Sequence, residues 1–140
     1  MDNKMRLEFI NKSNNERFAR TVAAAFATQL DPTVEELSEI KTAISEAVTN
    51  AIIHGYEDQA GMVYLEGEIN GQVITFLVSD KGKGIGDITQ AMQPLYTGKP
   101  EMERSGMGFT IMETFMDSIE VHSKVGEGTT IIMSKTIAKR

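Results

Sequence analysis

Alternation of apolar and polar residues along the chain predicts a series of strands. The stretch Met5–Ile10 alternates with a period of two, which is typical of a half-buried strand. Asn70-Gly71 is a dipeptide that favours a tight type I′ hairpin between two further strands. The second of these is apolar at nearly every residue from Val73 to Val78, which predicts burial on both faces. The strands predicted after the first are 62–69, 72–79, 118–123 and 129–136.

The segment after the first strand has the wider apolar spacing of a helix. Ser13 and Glu16 form the sequence signature of a capping box at its start. Asp31-Pro32 ends it, because proline disfavours helical backbone in the residue before it. The residues predicted to share its apolar side are Phe18, Val22, Ala25, Phe26 and Leu30.

A second helix follows, opened by another capping box that consists of Thr33 and Glu36. Its apolar spacing continues to about His54, and Gly55 then suits the left-handed position that ends many helices. A histidine at a helix end is more often a hydrogen-bonding residue than a catalyst, so we assign His54 no chemistry.

Glu46 and Asn50 interrupt the apolar character of this second helix. Their spacing of four residues places both side chains on one face, about one turn apart. They lie either on the solvent face of an ordinary amphipathic helix or in the wall of a functional site. This stretch alone leaves both interpretations open.

A glycine-rich segment follows the predicted strand that ends near Asp80. Gly82, Gly84 and Gly86 occupy alternate positions, and glycine permits close backbone approaches that a β-carbon would prevent. The segment is therefore either a ligand-binding loop or a plain flexible turn.

A second glycine pair, Gly106 and Gly108, precedes a helical pattern that reaches Phe115. Free amides at a helix start favour an anion such as phosphate, although the same glycines also suit tight packing. Between the two glycine segments, Ile88–Leu95 predicts a short helix. Tyr96–Glu103 has little apolar periodicity and is predicted to be a mobile lid.

The order of predicted elements indicates the fold class. The order is strand, two helices, two strands, glycine loop, lid, helix and two strands. This order implies hairpin connections and helices that cover one sheet face. We therefore expect an α/β (α+β) sandwich with a mixed, mostly antiparallel sheet. A chain of 140 residues fits a single domain spanning 1–140.

Composition excludes several classes of function. A net charge of −6 disfavours direct binding of nucleic acid, and no apolar run is long enough to span a membrane. The absence of cysteine excludes thiolate metal sites, and two scattered histidines do not suggest a zinc centre. We expect a cytoplasmic protein whose partners are proteins or small molecules.

Four motifs in this order resemble the Bergerat-type ATP site of gyrase, Hsp90, histidine kinases and MutL. They are Glu46-x-x-x-Asn50, Asp80-x-Gly82-x-Gly84, Gly106-x-Gly108 and Gly128-Thr129-Thr130. The closest form looks like the serine kinases that act as anti-sigma factors of the sigma F type. Phe9–Tyr56 and Ser105–Glu113 carry that closer match.

The resemblance implies a role for each motif. Asn50 binds Mg²⁺ that bridges the ATP phosphates, and Glu46 orients or deprotonates the nucleophile. Asp80 accepts a hydrogen bond from the adenine amino group, and a threonine, Thr129 or Thr130, assists through a water molecule. The full set of residues that it assigns to ATP and Mg²⁺ is Asn50, Asp80, Gly82, Gly84, Thr97, Gly98, Lys99, Arg104, Ser105, Gly106, Met107, Gly108, Phe109, Thr129 and Thr130.

The resemblance also implies the partners. An ATP domain of this kind without an acceptor of its own finds one on another protein, here a serine of an anti-anti-sigma protein. A sigma factor of the F type is the alternative partner, and a homodimer presents Arg20 to both. A different class of function, a nucleotide-controlled binding module without phosphate transfer, stays open. Glu46 favours the kinase, because a pure binding module has little use for that carboxylate.

Overall fold

The computed structural model describes residues 2–56, 59–85 and 108–139, which contain five strands and three α-helices. A short 3₁₀ turn, Thr28–Leu30, follows the first helix, and a π-helical turn, Ala51–Gly55, follows the second. The helices are α1 (Asn15–Ala27), α2 (Val34–Asn50) and α3 (Gly108–Phe115). The strands are β1 (Asn3–Ile10), β2 (Met62–Asn70), β3 (Val73–Asp80), β4 (Ser118–Lys124) and β5 (Gly128–Thr136).

The five strands form one sheet in the order β1-β2-β3-β5-β4. Every neighbouring pair in it is antiparallel, and β3 lies at the centre. The expected α+β architecture with an antiparallel sheet is confirmed. The short helix predicted at Ile88–Leu95 and the lid at Tyr96–Glu103 lie outside the described residues. In the segments that the structure describes, no helix is long and apolar enough to cross a membrane.

The helices pack on one face of the sheet, and the hydrophobic core lies between the helices and the sheet. In β3 the side chains of Ile74, Phe76 and Val78 are buried on that face. Thr75, Leu77 and Ser79 point to the opposite face and keep part of their surface exposed. The prediction that β3 is buried on both faces was therefore wrong. The outer face of the strand is only partly covered, although it carries apolar residues.

The buried face of α1 also differs from the prediction. Small residues spaced by four, Ala19, Ala23 and Ala27, are fully buried, whereas Phe18 is 49% exposed. The alanines allow α1 to lie close to α2, and the larger Phe26 reaches the sheet and meets Phe76 edge-on at 6.4 Å. The innermost face of α1 is therefore the one with the smallest side chains, not the one with the most hydrophobic side chains.

The two predicted capping boxes had opposite outcomes. At the start of α2, Thr33 Oγ1 accepts the Glu36 N–H at 3.0 Å, and the Glu36 carboxylate accepts the Thr33 N–H at 2.8 Å. At the start of α1 the cap position is Asn14 and no side chain caps the helix. The Glu16 carboxylate instead accepts a hydrogen bond from the Ser45 hydroxyl at 2.5 Å, which joins α1 to α2.

The hairpin between β2 and β3 is tight, as predicted, but of another type. Asn70 pairs with Val73, so the two turn residues are Gly71 and Gln72. Only Gly71 has a positive φ, +60°, which is the pattern of a type II′ turn rather than type I′.

Candidate functional site

Asp80 ends the central strand and is the buried carboxylate around which the candidate site is built. It is 5% exposed, and its backbone lies opposite Val63 on one side and Thr129 on the other. Its Oδ1 atom accepts the N–H of Gly82 at 2.8 Å. The side chain shares the helix-covered face of the sheet with Val78 and therefore points toward the helices.

Burial determines the electrostatics of this carboxylate. Desolvation raises the pKa of Asp80 above its ordinary value, while hydrogen bonds from the backbone N–H groups of Gly82 and Thr129 lower it and oppose that effect. A buried acceptor of this kind suits a ligand that donates a hydrogen bond, since such a donor stabilises the ionised form.

The strand register distinguishes between the two candidate threonines. Thr129 is directly opposite Asp80 and buried, and it lies on the same sheet face as Ile131. Thr130 is opposite Ser79, on the other face. Thr129 is therefore the threonine that the fold places beside Asp80.

The π-helical turn connects α2 to this site. Gly55, its last residue, lies so close to Asp80 that a β-carbon there would be 2.7 to 2.9 Å from the carboxyl atoms. Gly55 has no positive φ, so the prediction of a left-handed cap was wrong. Glycine is required at position 55 because of the contact with Asp80. A π-helical turn widens the helix and is frequent at functional sites.

The same turn holds one side of the glycine loop that follows Asp80. The Gly55 carbonyl accepts the Lys83 N–H at 2.7 Å. The Tyr56 hydroxyl accepts the Lys81 N–H at 2.8 Å and donates to the Met62 carbonyl at 2.5 Å. The loop is thereby tied to the end of α2 and to the start of β2.

The turn between β4 and β5 holds the other side of the loop. Gly126 N–H donates to the Lys83 carbonyl at 2.7 Å, and the Ser123 hydroxyl accepts the Ile85 N–H at 2.6 Å. Gly84 has a φ of +77°, and a β-carbon there would be 2.2 Å from the Lys124 carbonyl oxygen. Glycine is thus required where the two loops cross.

These hydrogen bonds limit what the glycine loop can bind. The N–H groups of residues 81, 82, 83 and 85 are all donated to protein acceptors. The loop is therefore a preformed wall beside Asp80 and has few amides left to hold a phosphate. The expected phosphate site near Gly106 and Gly108 stays a prediction, because Gly106 lies outside the described residues.

Glu46 and Asn50 lie on α2 before the π-helical turn, and both are half-buried. Among the described residues no cluster of three or more histidine or acidic side chains could hold a metal ion by itself. One carboxamide oxygen fits an Mg²⁺ ion whose other ligands are phosphate and water oxygens, because that ion retains water and binds few protein groups.

A cavity of about 460 Å³ lies beside the glycine loop. Its lining does not include Glu46, Asn50 or Asp80. The residues that line it are Gly55, Tyr56, Gln59, Ala60, Lys81, Gly82, Lys83 and Gly126.

The remaining candidates divide into three groups. Gly108 begins α3, which packs against α2, and the Phe109 side chain is 8% exposed in the core. Arg20 lies on α1 and pairs with Glu16 at 3.6 Å. The candidates outside the described residues are Thr97, Gly98, Lys99, Arg104, Ser105, Gly106 and Met107.

Sequence reasoning did not assign Gly55, Tyr56 or Ser123 to the site. The one sequence signal for Gly55 and Tyr56 was their position shortly after the Asn50 motif. Ser123 carries no sequence signal, because its role depends on the pairing of β4 with β5.

Comparison with solved structures supports the fold. The RsbU and RsbW domains of a Mycobacterium tuberculosis protein match 98% of this chain with a TM-score of 0.70 and 18% identity. Full-length ShkA in complex with AMPPNP matches 91% of it with a TM-score of 0.60 and 17% identity. The chain corresponds to about a third of each of those longer chains, 32% and 31%.

Comparison of sequences identifies the family. The model of the histidine kinase-like ATPase domain matches residues 11–135. The anti-sigma F factor of Clostridium kluyveri is 60% identical over 134 residues, which cover 96% of this chain and 94% of that protein. The anti-sigma F factor of Clostridium perfringens is 62% identical over 136 residues, covering 96% and 97%. The chain therefore belongs to the histidine kinase-like ATPase domain family and, within it, to the family of the anti-sigma F factors.

Proposed function

We propose that this protein is an Mg-ATP-dependent protein serine kinase that also binds and inhibits a sporulation sigma factor of the F type. The acceptor of the phosphoryl group is a serine of an anti-anti-sigma protein. Family membership supports ATP use of the kinase type, and the named relatives support the anti-sigma role.

The observation that carries the proposal is one buried carboxylate enclosed by glycine backbone at the end of the central strand. Asp80 is 5% exposed, and it is enclosed by Gly55 and by the glycine loop, which donates the N–H groups of residues 81, 82, 83 and 85 within the protein. A rigid wall with one buried acceptor is suited to the flat, hydrogen-bond-donating edge of adenine. The proposal assigns the adenine amino group to Asp80 and the adjacent water-mediated contact to Thr129.

The phosphate end of the nucleotide is assigned to α2 and the start of α3. Asn50 contributes its carboxamide oxygen to Mg²⁺, which when bound neutralises phosphate charge and aligns the terminal group. Glu46, one turn earlier on the same face, orients the acceptor serine or removes its proton. Lys99 and Arg104 are proposed to add positive charge to the transferring group.

The partner proposals rest on the relatives and on α1. Arg20 is proposed as a shared anchor for the sigma factor and the anti-anti-sigma protein, presented by a homodimer. A guanidinium makes paired hydrogen bonds to carboxylates and is frequent at interface hot spots. The proposal treats residues 1–140 as one domain that acts in the cytoplasm.

The direct test of this function is phosphoryl transfer from γ-labelled ATP to purified anti-anti-sigma protein in the presence of Mg²⁺. We expect label on one serine of the substrate, located by mass spectrometry. Glu46→Gln is expected to retain ATP affinity and to slow single-turnover transfer by about 100-fold or more, the usual scale for acid–base groups. Glu35→Gln, at an exposed carboxylate in the first turn of the same helix, is the control and is expected to transfer at the normal rate.

Two outcomes would count against the proposal in different ways. ATP binding without any labelled substrate would favour a nucleotide-controlled binding module. Loss of ATP affinity in Glu46→Gln, with normal transfer from bound ATP, would show that Glu46 is structural.

A further inference from the structure

Ser123 occupies an unassigned position where three parts of the site meet. It lies on β4 directly opposite Thr129 of β5 and is half-buried. Its hydroxyl accepts the Ile85 N–H at 2.6 Å, lies 2.8 Å from the Thr129 hydroxyl and lies 3.1 Å from the Gly128 carbonyl. One small side chain therefore contacts the glycine loop and the threonine beside Asp80.

The number of hydrogens on these groups restricts how they bond. The Ile85 N–H occupies a lone pair of Ser123, whose single hydroxyl hydrogen then goes either to Thr129 or to the Gly128 carbonyl. If it goes to Thr129, the Thr129 hydrogen is directed away from Ser123 and is available to a ligand. If it goes to Gly128, Thr129 donates to Ser123 and has no hydrogen left for a ligand.

We propose that Ser123 is a positioning residue for base recognition, which holds the Thr129 hydroxyl in place beside Asp80. The 2.8 Å contact between the two hydroxyls supports this role, because it fixes the position of the Thr129 hydroxyl whichever of the two oxygens donates. This inference rests on the proposed binding of ATP.

The chemistry of the purine edge makes this arrangement selective. Adenine presents an amino donor beside a ring nitrogen acceptor, whereas guanine presents a carbonyl acceptor beside a ring N–H donor. Asp80 as an acceptor complements the amino group of adenine, and a water molecule held by Thr129 can donate to the ring nitrogen. Guanine places its carbonyl oxygen against the buried carboxylate, where two acceptors repel each other.

The test compares ADP with GDP, which carry the bases without allowing transfer. We expect Ser123→Ala to weaken ADP binding by roughly five- to tenfold, the scale of one net hydrogen bond, and GDP binding by much less. The ratio of the two affinities, measured by titration calorimetry, should fall accordingly. Ser123→Thr keeps the hydroxyl and should restore the ratio.

Ser118→Ala is the matched control, because Ser118 and Ser134 form the same kind of cross-strand hydroxyl pair at the other end of β4 and β5. It should leave both affinities unchanged. Thr129→Val supplies a second route to the same question. If Ser123 acts through Thr129, adding Ser123→Ala to Thr129→Val should leave the affinity ratio where Thr129→Val alone puts it.

The outcomes separate this inference from the proposed function. Normal ADP binding by the unaltered protein with an unchanged ratio in Ser123→Ala would overturn the role of Ser123 and leave ATP binding intact. An equal loss for ADP and GDP would also overturn it, since that result indicates general loosening of the loop. Absence of ADP and ATP binding by the unaltered protein would overturn both.

Discussion

At the scale of single residues, the site depends on how closely Gly55 approaches Asp80. The metal-ligand candidate Asn50 and the base-recognition candidate Asp80 come from different elements, a helix and a strand. Gly55 belongs to the turn that continues the helix of Asn50, and its α-carbon rests against the Asp80 carboxyl. The position of one ligand group relative to the other is thus fixed by a contact that only glycine permits.

We predict that Gly55→Ala weakens nucleotide binding by about tenfold or more. The added β-carbon must displace Asp80 or the π-helical turn, and overpacking of this kind typically costs about 1–3 kcal/mol. ATP affinity by calorimetry and unfolding by urea, measured on the same sample, check this prediction.

The control for that variant is Gly67→Ala. A β-carbon at Gly67 would be 2.9 Å from ring atoms of Phe26, so the steric conflict is similar but lies in the core under α1. It should lower stability without a specific loss of nucleotide affinity. Equal nucleotide affinities in the two variants would contradict the role assigned to Gly55.

The raised pKa of Asp80 predicts a pH dependence of stability. Because burial raises this pKa in the folded protein, the ionised carboxylate costs stability at neutral pH. That cost disappears as pH falls through the raised pKa toward the ordinary aspartate range. The free energy of unfolding of the native protein relative to Asp80→Asn should therefore rise as pH is lowered through this window. A difference that is constant with pH in urea titrations would contradict burial as the cause.

At the scale of elements, the starts of the two long helices show which local signals determine structure. Thr33 and Glu36 satisfy each other at the start of α2. The Glu16 carboxylate makes other contacts instead. It accepts a hydrogen bond from the Ser45 hydroxyl of α2 and pairs with the Arg20 side chain of its own helix. A tertiary contact has replaced the local one at α1.

We predict that Thr33→Ala lowers the free energy of unfolding by about 1 kcal/mol, the usual value of a side-chain cap. Ser13→Ala should change it by less than about 0.5 kcal/mol, as for surface substitutions without a cap. Urea unfolding of both variants provides the comparison. A larger loss in Ser13→Ala than in Thr33→Ala would contradict the absence of a side-chain cap at the start of α1.

The elements themselves were largely predictable, because a period of two and two tight turns define the strands. The errors concern which face of a helix or strand is buried and which residues lie next to it in the fold. The inner face of α1 was missed since alanine gives little hydrophobic signal, and the outer face of β3 was overestimated because strand hydrophobicity does not reveal what covers it. Of the candidate site, Asp80 could be predicted from its motif. The choice of Thr129 over Thr130 required the register with β3, and the role of Ser123 required the register with β4.

At the scale of the whole molecule, α1 carries the proposed partner surface on the side that the core leaves accessible. Arg20 has a side chain that is 34% exposed and pairs with Glu16, so its position is more restrained than that of exposed Arg17. A restrained guanidinium loses less conformational freedom when a partner binds. Arg20 is therefore better suited than Arg17 to act as an anchor.

We predict that Arg20→Glu weakens the complexes with both the sigma factor and the anti-anti-sigma protein by tenfold or more. ATP affinity should stay within about 0.5 kcal/mol of normal, because the substitution is remote from Asp80. Arg17→Glu makes the same change of charge one turn earlier on α1 and is the control. Full-strength binding of both partners by Arg20→Glu in a pull-down titration would place the interface elsewhere.

The most direct measurement of the central claim is the ATP affinity of Asp80→Asn compared with that of the unaltered protein. The amide leaves adenine's amino group without its charged acceptor, so we expect a loss on the order of 2 kcal/mol or about 30-fold. Asp117→Asn is the control, because Asp117 also accepts a backbone N–H, from Thr136, but is exposed. Titration calorimetry with Mg²⁺ should show weakened binding in Asp80→Asn and normal binding in Asp117→Asn. Unchanged ATP affinity in Asp80→Asn would contradict the account of this site.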